Sequence, residues 1–517
     1  METRKEIEEQ ANAIRESKPD EALVLYQKIW TEHRESFNRF DALRCVQCVR
    51  ALPAKDHFSM VKDLLQAFPE DEMVTGISGW YIYDRFFKGK SEREILDNLW
   101  QFEETLKMLR QQNMQENSKF PCAFTIVVFK TLDAFAKGIF NGERILSYLE
   151  FLDPNKLSKE VETYEHKTRG TIEKASPYEK YYGLKTKALL KLERFEDCKE
   201  ACNTALETID KFHFSNEIWF PMRKALSLEH LGVQEESEAI FKELVESREG
   251  GSKWFLYRDL AELYFEQDDY KKAWQFSIDS ALLGNDAKYL INLYYLQARI
   301  LNKLARTDEG VVFAKMIASI LKENEWKVKQ DYQKIFDYYK IELQEAASIR
   351  EQQKLLNAFL VQEKYKDRIQ IKGAITVIHG NGKSGFLKDD AGFQYFFGKS
   401  DLVKSVRNLA PLLNAKVAFY EGQGSEKGKS AEAVKVLELV KTELSMPSGA
   451  LVGLTFKGKI QNIVDFGLFI DLENGKTGLA HQTTLPKNFK DIYEVGNTVK
   501  AYIIKETEKG LSLKITE

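Results

Sequence analysis

Proline is scarce in this sequence, ten in 517 residues, and cysteine is scarcer at five. So little proline excludes a collagen-like or proline-rich extended chain. The cysteines, Cys45, Cys48, Cys122, Cys198 and Cys202, all lie in the first half. Cys45 and Cys48 form a CxxC pair, but no further Cys or His pair stands near it in sequence to complete a zinc site. At i and i+3 on a helix, such cysteines are expected to be small buried residues. The seven histidines, His33, His57, His166, His213, His230, His379 and His481, are scattered and form no HExxH. No nucleophile elbow and no paired metal carboxylates occur either. Neither an enzyme nor a metal or cofactor is therefore expected. No apolar stretch approaches the ~20 residues of a membrane span, and the charged, helix-like start does not resemble a secretory signal. A reducing cytoplasm, without a membrane partner, is the expected setting.

What the chain does have is charge, 30% Asp, Glu, Lys and Arg against 43% hydrophobic residues, the balance of a rather helical globular protein. Its length calls for several domains at roughly 100–200 residues each. The net charge of −3 is unevenly spread. From Lys372 onward, 20 Lys plus Arg stand against 16 Asp plus Glu, a surplus of four, so the preceding residues carry −7. The C-terminal part can approach phosphates and the longer N-terminal part repels them.

Residues 1 to about 365 are helically periodic almost throughout. The clearest unit has Tyr257, Ala261 and Tyr264 on one helix and Tyr270, Ala273 and Ser277 on the next. Small residues let two helices approach closely, and aromatics fill the seam between successive units. The frame recurs at Ala225, Leu228, Gly232, Ser237 and Phe241, and at Ala298, Leu301, Gly310 and Ala314. A looser copy holds Leu189, Phe195, Cys198, Cys202 and Ala205, and degenerate ones surround Ala22 to Tyr26 and Asn141 to Pro154. This pattern resembles the tetratricopeptide repeat. The resemblance implies an all-α superhelix over 1–329 whose groove holds a protein or peptide partner. Trp80, Tyr81 and Tyr83 are candidate groove residues, with core packing as the alternative. Residues 330–367 fit one or two capping or linker helices with an apolar stripe through Ile335, Tyr338, Tyr339, Leu356, Phe359 and Leu360.

At Ile369 the pattern changes to short alternating runs punctuated by glycine. Residues 372–379, 385–390, 393–397, 416–420 and 431–437 read as five strands. Residues 369–438 resemble a cold-shock domain, a small all-β OB barrel. On that resemblance Lys383, Phe386, Tyr395 and Phe397 form an RNA-stacking platform, reduced because Val377 and Ser384 stand where the family has aromatics. Gly382, Lys383 and Ser384 end like a phosphate-binding loop, but Val377 occupies the position of its first glycine and no helix follows.

The last segment, 451–517, places Phe466 and Phe469 around Gly467, then an alternating strand ending at His481. Aromatic faces stack on unpaired bases, and an imidazole can hydrogen-bond a base edge or sugar. The segment resembles the S1 RNA-binding domain, a second OB barrel. The resemblance implies Phe466, Phe469 and His481 as RNA contacts, with Lys459 along the backbone. The family's late Asp and Arg fall on the stretch from Lys505 to Lys509. There Lys509 supplies charge without a bidentate fork, and Glu506 or Thr507 replaces the Asp. The whole suggests an RNA-binding adaptor for single-stranded RNA, single-stranded DNA being an alternative ligand. Its setting would be translation, RNA metabolism or a bacterial anti-phage system. A scaffold whose barrels bind protein or saccharide is the alternative.

Overall fold

The computed structural model describes the chain except residues 1, 54, 110–121, 167, 169, 285, 381, 404, 405, 407, 408, 423–427, 439–451, 474, 508, 509 and 517. Two compact units result, Met1–Lys364 and Tyr365–Glu517.

The first unit is a stack of antiparallel helix pairs. The regular ones are Pro177–Lys191 with Phe195–Thr208, Asn216–His230 with Gln234–Glu246, Trp254–Glu266 with Tyr270–Leu283, and Ile291–Lys303 with Thr307–Glu323. One turn closes every pair. Glu193, Gly232, Asp268 and Ala305 all take positive φ, between 56° and 80°. Beyond them, the N–H groups of Arg194, Val233, Asp269 and Arg306 donate to the carbonyls of Leu189, Leu228, Tyr264 and Leu301 at 2.8–3.0 Å. This six-to-one bond satisfies a helix-end carbonyl and reverses the chain within three residues. Only one of the four turns uses glycine, so the turn recurs without its usual residue.

The small residues of the repeat sit in the seams, with Ala225, Ala261 and Ala298 fully buried. Gly310 marks a close approach between helices. A Cβ there would lie 2.2 Å from the Tyr339 hydroxyl, which donates to the Ala298 carbonyl at 3.0 Å. Tyr339 ends the helix Gln330–Tyr339, and a second helix follows at Ile349–Tyr365. Cys45 and Cys48 are buried in the helix Arg39–Ala51, where burial pushes the Cys48 thiol up to about 11. Tyr81 is buried too, whereas Trp80 and Tyr83 are half-buried and meet edge to face at 5.7 Å.

One element departs from the helical expectation. Strands β1 (Glu162–His166) and β2 (Gly170–Lys174) form an antiparallel hairpin, with Gly170 at φ +70°. Tyr164, Thr171 and Ile172 are strand formers, and a helical window averages over so short a run. The hairpin is tied down by Glu173, which pairs with Lys211 at 2.5 Å and His213 at 3.3 Å.

The second unit holds two closed five-stranded barrels. The first comprises β3 (Ile371–Ile378), β4 (Ser384–Asp389), β5 (Gln394–Gly398), β6 (Lys416–Glu421) and β7 (Lys429–Glu438), in the order β3-β4-β5-β7-β6. The second comprises β8 (Thr455–Val464), β9 (Gly467–Leu472), β10 (Thr477–His481), β11 (Thr498–Thr507) and β12 (Gly510–Thr516), in the order β10-β12-β11-β8-β9. Closure removes free strand edges. Each barrel has its own core, around Ile375, Leu387, Val417 and Phe419 in the first and Ile460, Ile470, Ile503 and Leu513 in the second.

Candidate nucleic-acid interface

Strand alternation decides which side chains of the second barrel meet solvent. On β9, Leu468, Ile470 and Leu472 are buried, so Phe469 stands on the outer wall. Phe466 lies in the turn before β9 and is 46% exposed. The two rings meet edge to face, centroids 6.2 Å apart. Gly467 between them is required by the backbone. At φ +151°, a Cβ there would sit 2.2 Å from the Ala480 carbonyl oxygen. The close β9–β10 approach therefore forces a glycine and leaves Phe466 projecting beyond it.

His481 ends β10 directly opposite Gly467, so no side chain faces its ring across that pair. Its Nδ1 accepts from the Thr483 backbone N–H at 3.4 Å and lies 3.0 Å from the Thr483 hydroxyl. The neutral ring then carries its proton on Nε2, which has no partner among the described residues. Two ring faces and one donor thus share one side of the barrel.

The charges around it divide into free and committed. Lys459 is exposed on β8, in register with Asp471, without an ion pair among the described residues. Lys490 is committed, its ammonium 2.5 Å from Asp465, whose carboxyl is held below its usual range by that hydrogen bond. Glu506 pairs with Lys476 at 2.7 Å, so its charge is already engaged. Lys509 lies outside the described residues.

Cross-strand register adds residues that sequence spacing missed. Phe469 pairs with Asn462 and Leu479, Leu479 with Ser512, and Ser512 with Lys505. Paired residues share a face, so this row continues the aromatic site around the wall, with exposed Lys505 and Lys514 on its far side. Register across five strands is a tertiary fact, and the only sequence signal was the alternation of Leu511, Ser512, Leu513 and Lys514.

The first barrel requires a correction. Tyr395 and Phe397, expected to stack on RNA, are 2% and 0% exposed and belong to the core. On β4 the partners of Tyr395 and Phe397 are Leu387 and Gly385, both inward, whereas Phe396 opposes the outward Phe386. A one-residue shift in strand phase exchanges the faces completely. Phe396 is accordingly 43% exposed. Its ring lies 5.8 Å from that of Phe386, and His379 stands 5.3 Å from Phe386 and 6.3 Å from Phe396. His379 is fixed by Ser384, whose hydroxyl lies 2.8 Å from Nδ1. The outer platform is Phe386, Phe396 and His379, with Lys383 exposed nearby in the chain. Among the described residues no three His, Cys, Asp or Glu side chains gather in a way that could hold a metal ion.

The second barrel has counterparts among known proteins. Residues 452–515 match the S1 RNA binding domain. The polyribonucleotide nucleotidyltransferase of Thermosipho melanesiensis is 32% identical over 101 residues, which is 19% of this chain and 13% of that protein. The small ribosomal subunit protein bS1 of Rhodopseudomonas palustris is 27% identical over 207 residues, 38% of this chain and 36% of that one. The chain spans only 13–17% of the length of the first polyribonucleotide nucleotidyltransferases it matches. Among solved structures, a tetratricopeptide repeat protein from Parabacteroides merdae aligns over 61% of this chain and 99% of its own, at 14% identity and a TM-score of 0.33.

Proposed function

We propose that this chain is a non-enzymatic RNA-binding adaptor, in which the barrels hold single-stranded RNA and the helical unit holds a protein partner. The observation that carries this reading is the solvent-facing pair Phe466 and Phe469 beside the free Nε2 of His481, on the barrel that matches the S1 RNA binding domain. Stacking and phosphate attraction read little sequence, so binding is of low sequence specificity. The names of the relatives, one acting on polyribonucleotides and one a ribosomal subunit protein, support RNA over DNA, protein or saccharide as the barrel ligand. Phe386, Phe396 and His379 supply a second stacking surface on the first barrel.

The test is filter binding of a single-stranded oligoribonucleotide by the full chain. Replacing Phe466 and Phe469 together by alanine removes up to two stacked bases, roughly 2–6 kcal/mol. His481→Ala removes one hydrogen-bonding group, about 1–2 kcal/mol. A double variant that keeps its circular dichroism and binds RNA like the parent would place the RNA site elsewhere.

A further inference from the structure

The helix pairs around Glu229 leave an electrostatic problem unsolved. Glu229, near the end of the helix Asn216–His230, feels Glu262, Asp259 and Glu266 of the next first-of-pair helix, Trp254–Glu266. Two arginines answer these four carboxylates. Arg258 pairs with Asp259, and Arg299 comes within 3.9 Å of Glu266. The carboxylates of Glu229 and Glu262 have neither an ion pair nor a hydrogen bond among the described residues. Asp259 is only 3% exposed, and its Oδ2 has no partner. Carboxylates so placed, one buried and one half-buried, demand a cation or a donor. A metal ion does not fit, because among the described residues no three acidic or imidazole side chains gather in a metal-holding group. RNA does not fit either, since carboxylates repel phosphates.

The opposite ends of the same two helices are aromatic. Trp219 and Phe255 are half-buried and stack face to face, centroids 5.0 Å apart and 5° from parallel. From Trp219 to Glu229 is about 15 Å along the axis, and from Phe255 to Glu262 about 10 Å, at 1.5 Å per residue. An extended peptide covers that distance in roughly three to five residues.

We propose that Glu229, Glu262 and Glu266, beside the buried and half-unpaired Asp259, seat an arginine of a partner protein, in an extended segment whose aromatic residue, about four positions away, packs on Trp219 and Phe255. This deepens the reading that the helical unit holds a protein partner, and it rests on that reading. A guanidinium suits the seat because it is planar, weakly hydrated and offers five donors to several carboxylates at once.

The experiment uses the full chain and a photoreactive peptide bearing tryptophan and, four residues on, arginine. The control peptide carries citrulline, which is isosteric and uncharged. The expected result is at least tenfold tighter binding of the arginine peptide, with cross-links to 216–230 or 254–266. Glu229→Gln plus Glu262→Gln should abolish that preference. Glu262→Lys, at an exposed position, should abolish it as well, so a folding failure of the double variant leaves the proposal testable. Spermidine at the same concentration should not displace the peptide. Full displacement would assign the seat to free polyamines and overturn the proposal. Undiminished preference in the variants, with cross-links elsewhere in 1–364, would overturn the seat while the helical unit still holds peptide. Cross-links confined to the barrels, or none, would overturn both.

Discussion

Glu229 shows how one side chain can set a pH response. Burial first, then Glu262, Asp259 and Glu266, pushes its carboxyl up to about 7 from an ordinary 4.5. Burial likewise raises Asp259 to about 6, against the pull of Arg258. A raised folded-state value means stability is fully present below about pH 4.5 and is lost as pH rises through about 7. The helical unit should therefore melt at lower temperature at pH 8 than at pH 5. Glu229→Gln should remove about half of that slope, gaining at most roughly 2–3 kcal/mol at pH 8. Parallel stability curves for parent and variant would contradict this. Phe396 and Phe397 make the complementary case, adjacent in sequence and opposite in fate. Phe397→Ala should destabilise the first barrel by about 3–5 kcal/mol. Phe396→Ala should leave its denaturation midpoint nearly unchanged and weaken RNA binding, a contrast that chemical denaturation and filter binding read together.

Among the elements, close helix packing is where glycine is needed. In the helix Thr307–Glu323, Gly310 accommodates the Tyr339 ring, so Gly310→Ala must displace the capping helix Gln330–Tyr339 and its bond to Ala298. A loss of roughly 1–3 kcal/mol is expected, measurable as faster amide exchange across 330–339. Exchange unchanged there would mean that the capping helix yields without strain. The small-residue frame at Ala225, Ala261 and Ala298 was legible because close helix approach demands small side chains at a fixed period. The hairpin of β1 and β2 was not, because five-residue strands have too few repeats of their period to stand out in a helical background.

For the whole molecule, the separation of charge is expected to shape association with RNA. Residues from Lys372 onward carry a surplus of four positive charges and those before them a deficit of seven. If phosphate contacts dominate binding, each neutralised phosphate releases condensed counterions, and the logarithm of affinity falls by about 0.7 per contact for each tenfold rise in salt. Three or more contacts should therefore cost at least two orders of magnitude between 20 and 200 mM salt, values chosen as one decade on that scale. A salt-independent constant would favour a protein or saccharide ligand instead. Among the described residues no helix is long and apolar enough to cross a membrane.

By itself the sequence determined the mostly helical repeat unit, the change to strands near residue 369 and the aromatic pair Phe466 and Phe469, because each rests on local periodicity or on neighbours in the chain. Tertiary structure alone decided that Phe396 faces outward and Phe397 inward, that His379 joins Phe386, and that Lys490 is already spent on Asp465. Strand phase in a short run with aromatics at successive positions is ambiguous by one residue, and only pairing with β4 resolves it. The gathering of Glu229, Asp259 and Glu262 is invisible in a linear reading for the same reason. Their charges come from helices some thirty residues apart, and only stacking brings those helices together.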